Sequence, residues 1–146
     1  MLTHLIKSLL ALSAVLLLSA PVQAEQKQVM GDIDVHYIAL NSTLIPAKVA
    51  TNYGITRSKI NALINISVLD NTTPNKPAKS VGISGVAKNL LGHKKDLEFI
   101  EVVEGDAIYY LAQLRFTNEE QFTFTITLLD QGKEHTLTFK QKLYAD

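Results

Sequence analysis

The chain has 146 residues, 14 basic and 14 acidic side chains, and no cysteine. That length suits one domain able to close its own core. The even charge balance offers no overall attraction to nucleic acid or an anionic membrane surface. The missing cysteines exclude disulfides, thiol chemistry and a thioether-linked lipid anchor.

The first 24 residues have the three-part layout of a secretory signal peptide. Lys7 supplies a positive charge, LLALSAVLLL forms the apolar stretch, and Pro21 stops any helix. Val22 and Ala24 place small residues at the −3 and −1 positions, so cleavage is expected after Ala24. The apolar stretch is too short to cross a bilayer, which takes roughly 20 helical residues. The expected organisation is a leader over 1–24 and a single domain over 25–146. The expected destination is the periplasm, with no stable membrane insertion after cleavage and no lipoprotein anchor.

The remaining chain reads as strands. Asp32 to Leu40 alternates Ile33, Val35, Tyr37 and Ala39 against Asp32, Asp34 and His36. Residues 41–59, NSTLIPAKVATNYGITRSK, break the pattern. Pro46 suits a first helical turn. Pro46, Val49, Ala50 and Tyr53 form one apolar stripe at helical spacing, and Gly54 is a natural left-handed stop. The spacing predicts a two-turn crossover helix capping one open end of the fold, with Pro46, Tyr53 and Gly54 as structural anchors and Tyr53 facing inward. Its polar flanks, Asn41, Ser42, Thr43, Arg57 and Lys59, form a candidate interaction surface.

Ala62 to Leu69 sets Ile64, Ile66 and Val68 opposite Asn65 and Ser67. A loop with two prolines, DNTTPNKPAK, follows at Asp70 to Lys79. Ser80 to Ala87 is a lighter strand in which Gly82 and Gly85 mark a bulge or a close backbone approach. Leu97 to Val103 and Ala107 to Phe116 are joined by the turn Glu104-Gly105-Asp106. Tyr109 and Tyr110 point to opposite faces. QFTFTITL at Gln121 to Leu128 is the clearest half-buried strand, apolar on one face and threonine on the other. Lys133 to Leu143 pairs with it across DQGK.

About seven strands with turns every 8 to 12 residues predict an all-β, antiparallel β-sandwich of immunoglobulin-like architecture, its last four strands forming a meander. A small barrel is the second choice.

VHYIALNSTLIPAKVATNYGITRSKINALINISVL, VAKNLLG, EGDAIYYLAQLRFTNEE and HTLTFKQKLYAD together resemble a family of exported Gram-negative bacterial proteins described only as a domain of unknown function. The resemblance covers nearly all of the chain after the leader. It implies a compact exported β-rich domain and carries no assigned activity, cofactor or catalytic residue.

The residues themselves offer little chemistry. Asp32, Asp34 and His36 share one strand face and form a weak candidate for a divalent metal such as zinc or manganese. Alternate strand residues stand nearly 7 Å apart, so a neighbouring strand would have to help. The simpler expectation is a solvated outer face. The histidines after the leader are His36, His93 and His135, and no nucleophile turn of the type G-x-S-x-G accompanies them. Glu101 with Glu104, and Glu119 with Glu120, lie near turns with nothing to position them as an acid–base pair. No cofactor loop is present, and no cofactor is expected. The leading expectation is a non-enzymatic binding or interaction module with a periplasmic protein partner, contacting it through an edge strand or the 41–59 crossover. The alternatives are a metal-dependent or carboxylate-based hydrolase using Asp32, Asp34 and His36, and a small-ligand carrier with a cavity between its sheets.

Overall fold

The structure is a computed structural model and describes residues 25–145. The expected leader and its cleavage point after Ala24 lie outside the described residues.

Two antiparallel sheets face each other. The strands are β1 (Gln26–Met30), β2 (Ile33–Asn41), β3 (Asn61–Asp70), β4 (Gly82–Asn89), β5 (Lys94–Leu97), β6 (Ile100–Glu104), β7 (Ala107–Arg115), β8 (Glu120–Asp130) and β9 (Lys133–Leu143). A 3-10 turn (Ser42–Leu44) and one helix, α1 (Ala47–Tyr53), join β2 to β3. The five-stranded sheet has the order β1-β2-β3-β7-β6 and the four-stranded sheet β5-β4-β8-β9. Taken without β1, these orders match the A-B-E-D sheet and the C-F-G sheet, with one extra strand at the C edge, of an immunoglobulin sandwich. The expected fold class holds.

The inner layer follows directly from period-2 alternation. Ile33 and Val35 of β2, Ile64, Ile66 and Val68 of β3, and Phe122, Phe124, Ile126 and Leu128 of β8 are all fully buried. The ring of Phe139 stacks on Phe124 at 4.7 Å between centroids and meets Tyr37 at 4.6 Å. The interior between the sheets is filled with side chains, as a native core is.

Four details differ from the sequence reading. Nine strands are present among the described residues rather than seven. The extra β1 is polar and mostly exposed, with only Met30 buried, so it carries little hydrophobic signal. The second extra strand comes from Leu97 to Val103, which is not one strand. Leu97 pairs with Gly85 in the four-stranded sheet, whereas Ile100 pairs with Leu111 in the five-stranded one. The chain changes sheet across Glu98 and Phe99. Gly85 makes room for that crossing: a Cβ there would meet the Phe99 ring at 3.1 Å and Ile126 at 3.2 Å. The close approach at Gly85 is thus one of side chains, where the sequence reading expected a bulge or an approach of backbone.

The expected four-strand meander is divided. β6 pairs with β7 and β8 with β9, but the short link after β7 crosses to the other sheet. Phe116 starts that crossing, buried and with its N–H on the Ile60 carbonyl at 2.9 Å. Finally, α1 does not cap an end of the sandwich. It lies on the outer face of the five-stranded sheet, because Leu63 and Leu111 point outward from β3 and β7 and need a cover.

Candidate functional site: a groove beside the outer helix

Ala50, Ile55, Leu63 and Leu111 form a second, smaller apolar cluster, flanked by the partly buried Leu40, Ile45, Tyr53, Val102 and Tyr109. The helix above it is only seven residues long. Such a helix holds its shape through its fastenings rather than by itself. Gly54 ends it in the left-handed region (φ 68°, ψ 29°), as the sequence reading expected. Gln113 of β7 then clamps the exit. Its amide oxygen accepts from Thr56 N–H (2.8 Å) and Asn61 Nδ2 (3.0 Å), and its Nε2 donates to the Gly54 carbonyl (3.1 Å). The Tyr53 hydroxyl donates to Glu104 Oε2 at 2.8 Å, tying the helix to the end of β6. That carboxylate raises the tyrosine's pKa above its ordinary value, with desolvation adding to the shift.

The helix roofs only part of the sheet. Beside it runs an open groove of about 370 Å³. Leu63, Leu111 and Ile55 form its floor, Tyr53 and Gln113 its helix side, and Asp96, Glu98 and Ile100 its far side. Neither Asp96 nor Glu98 takes part in an ion pair among the described residues. The groove thus joins an apolar floor to an acidic rim. It suits a ligand with an apolar body and a cationic or hydrogen-bond-donating end.

The stripe read as core-facing is mostly not. Pro46 and Val49 are exposed, Tyr53 is half-buried, and Ala50 is the buried helix residue. Tyr110 enters the core while Tyr109 joins the outer cluster, as the alternation required.

The candidate interaction flanks have divided roles. Ser42 is fully buried and exchanges hydrogen bonds with the Ser58 backbone, donating to its carbonyl (3.0 Å) and accepting from its N–H (2.9 Å). Asn41 caps the 3-10 turn through Thr43 N–H and donates to the carbonyls of Lys59 and Tyr144. Thr43 gives its carbonyl to Arg57 Nη2 at 3.2 Å. Asn41 and Ser42 are therefore held inside the chain's own hydrogen bonds. Arg57 and Lys59 remain exposed.

Asp32, Asp34 and His36 do not gather. Among the described residues, no three His, Cys, Asp or Glu side chains stand close enough to hold one metal ion. Asp34 is not on a solvated face. Its side chain is only 3% exposed beneath the proline-bearing loop. Its Oδ2 accepts from Lys76 Nζ at 2.9 Å and its Oδ1 from Asn71 Nδ2 at 3.1 Å. Lys76, then Asn71, hold this carboxyl below its ordinary range. Lys79 makes a second fastening, to Asp130 at 2.8 Å. His36 faces Glu25 at 3.8 Å. Glu101 accepts from Tyr110 and Ser80 hydroxyls at 2.8 Å each, while Glu104 holds Tyr53, so these two carboxylates serve different partners.

Sequence reasoning missed Glu98 and Ile100 as groove residues. Both fall where one strand was expected, and no glycine, proline or turn residue marks the change of sheet.

No curated protein sequence matches this chain. A DUF4426 family protein from Pseudomonas aeruginosa PAO1, known from a crystal structure, is 35% identical. Their match covers 86% of this chain and 98% of that one, with a TM-score of 0.73. FetP from uropathogenic Escherichia coli strain F11, expressed recombinantly in the periplasm of E. coli, is 13% identical with a TM-score of 0.57, covering 83% of this chain and 94% of that one. A copper-bound variant of FetP is 14% identical with a TM-score of 0.58, covering 82% and 95%. At these identities FetP shares the fold alone. The model of the domain of unknown function DUF4426 matches residues 27–146, and the chain belongs to that family.

Proposed function

We propose that this protein is an exported, non-enzymatic binding module that works in the periplasm and takes a protein partner into the groove beside α1. One observation carries the reading. The interior between the sheets is filled, while the outer face of the five-stranded sheet keeps a groove in which the exposed Ile100 stands beside two unpaired carboxylates over a buried apolar floor. A partner segment with an apolar stem and a basic head fits that combination. The signal-peptide layout of the first 24 residues supports export. The exposed Arg57 and Lys59 lie between α1 and β3 in the same crossover and are included in the proposed contact surface. A hydrolase based on Asp34 gains no support, because Lys76 and Asn71 already occupy both carboxylate oxygens.

The test is site-specific photo-crosslinking in the living periplasm, with the probe at Glu98. The expected result is one dominant protein adduct that disappears on Ile100→Asp and weakens on Arg57→Glu with Lys59→Glu. An adduct pattern indifferent to Ile100→Asp would remove the groove from the interface. Elemental analysis that finds stoichiometric metal, lost on Asp34→Ala, would favour the hydrolase instead.

A further inference from the structure

The turn between β4 and β5 presents the two most exposed large apolar side chains among the described residues, Leu90 at 80% and Leu91 at 81%. Adjacent leucines at a turn tip lose solvation free energy with nothing gained inside the fold. The turn is nevertheless held firmly. Asn89 Oδ1 accepts from Leu91 N–H (3.1 Å) and His93 N–H (2.9 Å), and Asn89 Nδ2 donates to Glu120 at 3.0 Å. Backbone bonds Asn89 N–H to His93 carbonyl and Gly92 N–H to Asn89 carbonyl, both 3.0 Å, close it. The leucines are thus displayed on a fixed mount, and docking need not order a loose loop.

Two lysines stand beneath the tip. Lys88 and Lys94 stand directly opposite each other in the β4–β5 register. Like charges so placed repel, and neither is in an ion pair among the described residues. Lys88 curls along the turn, its Cε 3.9 Å from where a Cβ on Gly92 would stand. The nearby carboxylate, Glu120, accepts from Asn89 Nδ2 at the foot of the turn and from Thr117 N–H, and forms no ion pair with either lysine among the described residues.

We propose that this tip is a peripheral membrane contact, with Leu90 and Leu91 entering the acyl boundary of an anionic bilayer and Lys88 and Lys94 meeting its headgroup phosphates. A bare apolar pair would fit a protein pocket equally well. The unneutralised lysine pair behind it favours a surface that supplies many negative charges at one level. The contact is reversible and separate from the groove's floor on the five-stranded sheet; the groove's rim residue Asp96 is two residues along β5 from Lys94.

The chain has no tryptophan, so Leu91→Trp adds a single reporter. With purified protein and vesicles of phosphatidylglycerol and phosphatidylethanolamine, its emission is expected to shift to the blue; with pure phosphatidylcholine vesicles it is not. In vesicle sedimentation, Leu90→Ser with Leu91→Ser should weaken binding about tenfold or more, given two lost apolar anchors. Lys88→Gln with Lys94→Gln should weaken it about tenfold and remove most of its salt dependence. At these exposed sites the leucine variant leaves thermal melting unchanged and the lysine variant does not lower it, since it relieves a like-charge pair, which separates lost binding from lost folding. Wild-type protein that ignores anionic vesicles overturns the proposal. So does binding unaffected by the leucine pair. Loss of a periplasmic protein cross-link in the leucine variant, with no vesicle binding by the wild type, assigns the tip to a protein pocket instead.

Discussion

The two faces of β3 are closed in different ways. Its inner residues Ile64, Ile66 and Val68 are shut from solvent by an entire opposing sheet. Its outer face carries Leu63 among Asn65 and Ser67, and a seven-residue helix covers only part of it. The inner face turns apolar area into stability. The outer face keeps just enough cover to be rigid and leaves the rest as a groove. One strand thus serves as scaffold on one side and as floor of a groove on the other.

Substitutions can break or sharpen that contrast. The largest effect is expected from Phe124→Ala, which opens a cavity between stacked rings and should cost about 3–5 kcal/mol in urea unfolding. Leu111→Ala, on the outer face, should cost about 2 kcal/mol, the low end for such truncations, because the groove lets the site relax. Equal losses at these two positions would erase the distinction between the layers. Gly85→Ala tests the sheet change from the inner side. The added methyl meets Phe99, Leu97 and Ile126 at 3.1–3.3 Å, and overpacking of this kind costs about 1–3 kcal/mol. Gly54→Ala meets nothing within 4 Å, so only its left-handed backbone is strained, at about 1 kcal/mol. Its thermal shift should be the smallest of these four, and its effect on partner cross-linking at Glu98 the largest. Tyr53→Ala should destabilise less than half as much as Phe124→Ala, since Tyr53 is half-buried.

The smallest expected effect is on acid stability. Lys76 and Asn71 lower the pKa of Asp34 below its ordinary 3.8. The ionised carboxylate is therefore favoured by the folded state. That contribution is complete above the ordinary value and is lost as pH falls through the lowered one. Asp70, through Thr72, and Glu101, through Tyr110, act in the same direction. Asp34→Asn should flatten the acid limb of a stability–pH curve and leave the neutral region less stable. An acid limb that keeps its full slope in Asp34→Asn would show that the Lys76 contact is not maintained in solution.

Much of the sandwich was legible because alternation in β2, β3, β8 and β9 is a local property of the chain. The Gly54 stop and the opposed tyrosines at 109 and 110 were legible for the same reason. Strand edges and changes of sheet were not. Nothing in Leu97-Glu98-Phe99-Ile100 distinguishes a continuous strand from one that crosses between layers, because Leu97 and Phe99 point inward in both cases. The groove inherits that difficulty: Glu98 and Ile100 acquire their role only once the crossing is known. The helix stripe misled for a different reason. Spacing reveals that a face is apolar but not how large a surface awaits it, and here the awaiting surface is two leucines wide. Asp34 illustrates a further limit. Its cover comes from a loop more than thirty residues away, which strand periodicity cannot report.

The order in which the chain visits the two sheets has a consequence for when the protein can exist at all. β1 to β3 belong to one sheet, β4 and β5 to the other, β6 and β7 to the first again, and β8 and β9 to the second. Phe122, Phe124, Ile126 and Leu128, which fill the middle of the interior, arrive almost last. A nascent polypeptide lacking its final hairpin has an uncovered apolar sheet and no stable resting point. Such a chain folds late and all at once, by joining segments distant in sequence, and its assembly is correspondingly slow. Slowness of this kind would suit the export proposed above, which needs the chain threaded across a membrane as an open strand before its sandwich closes.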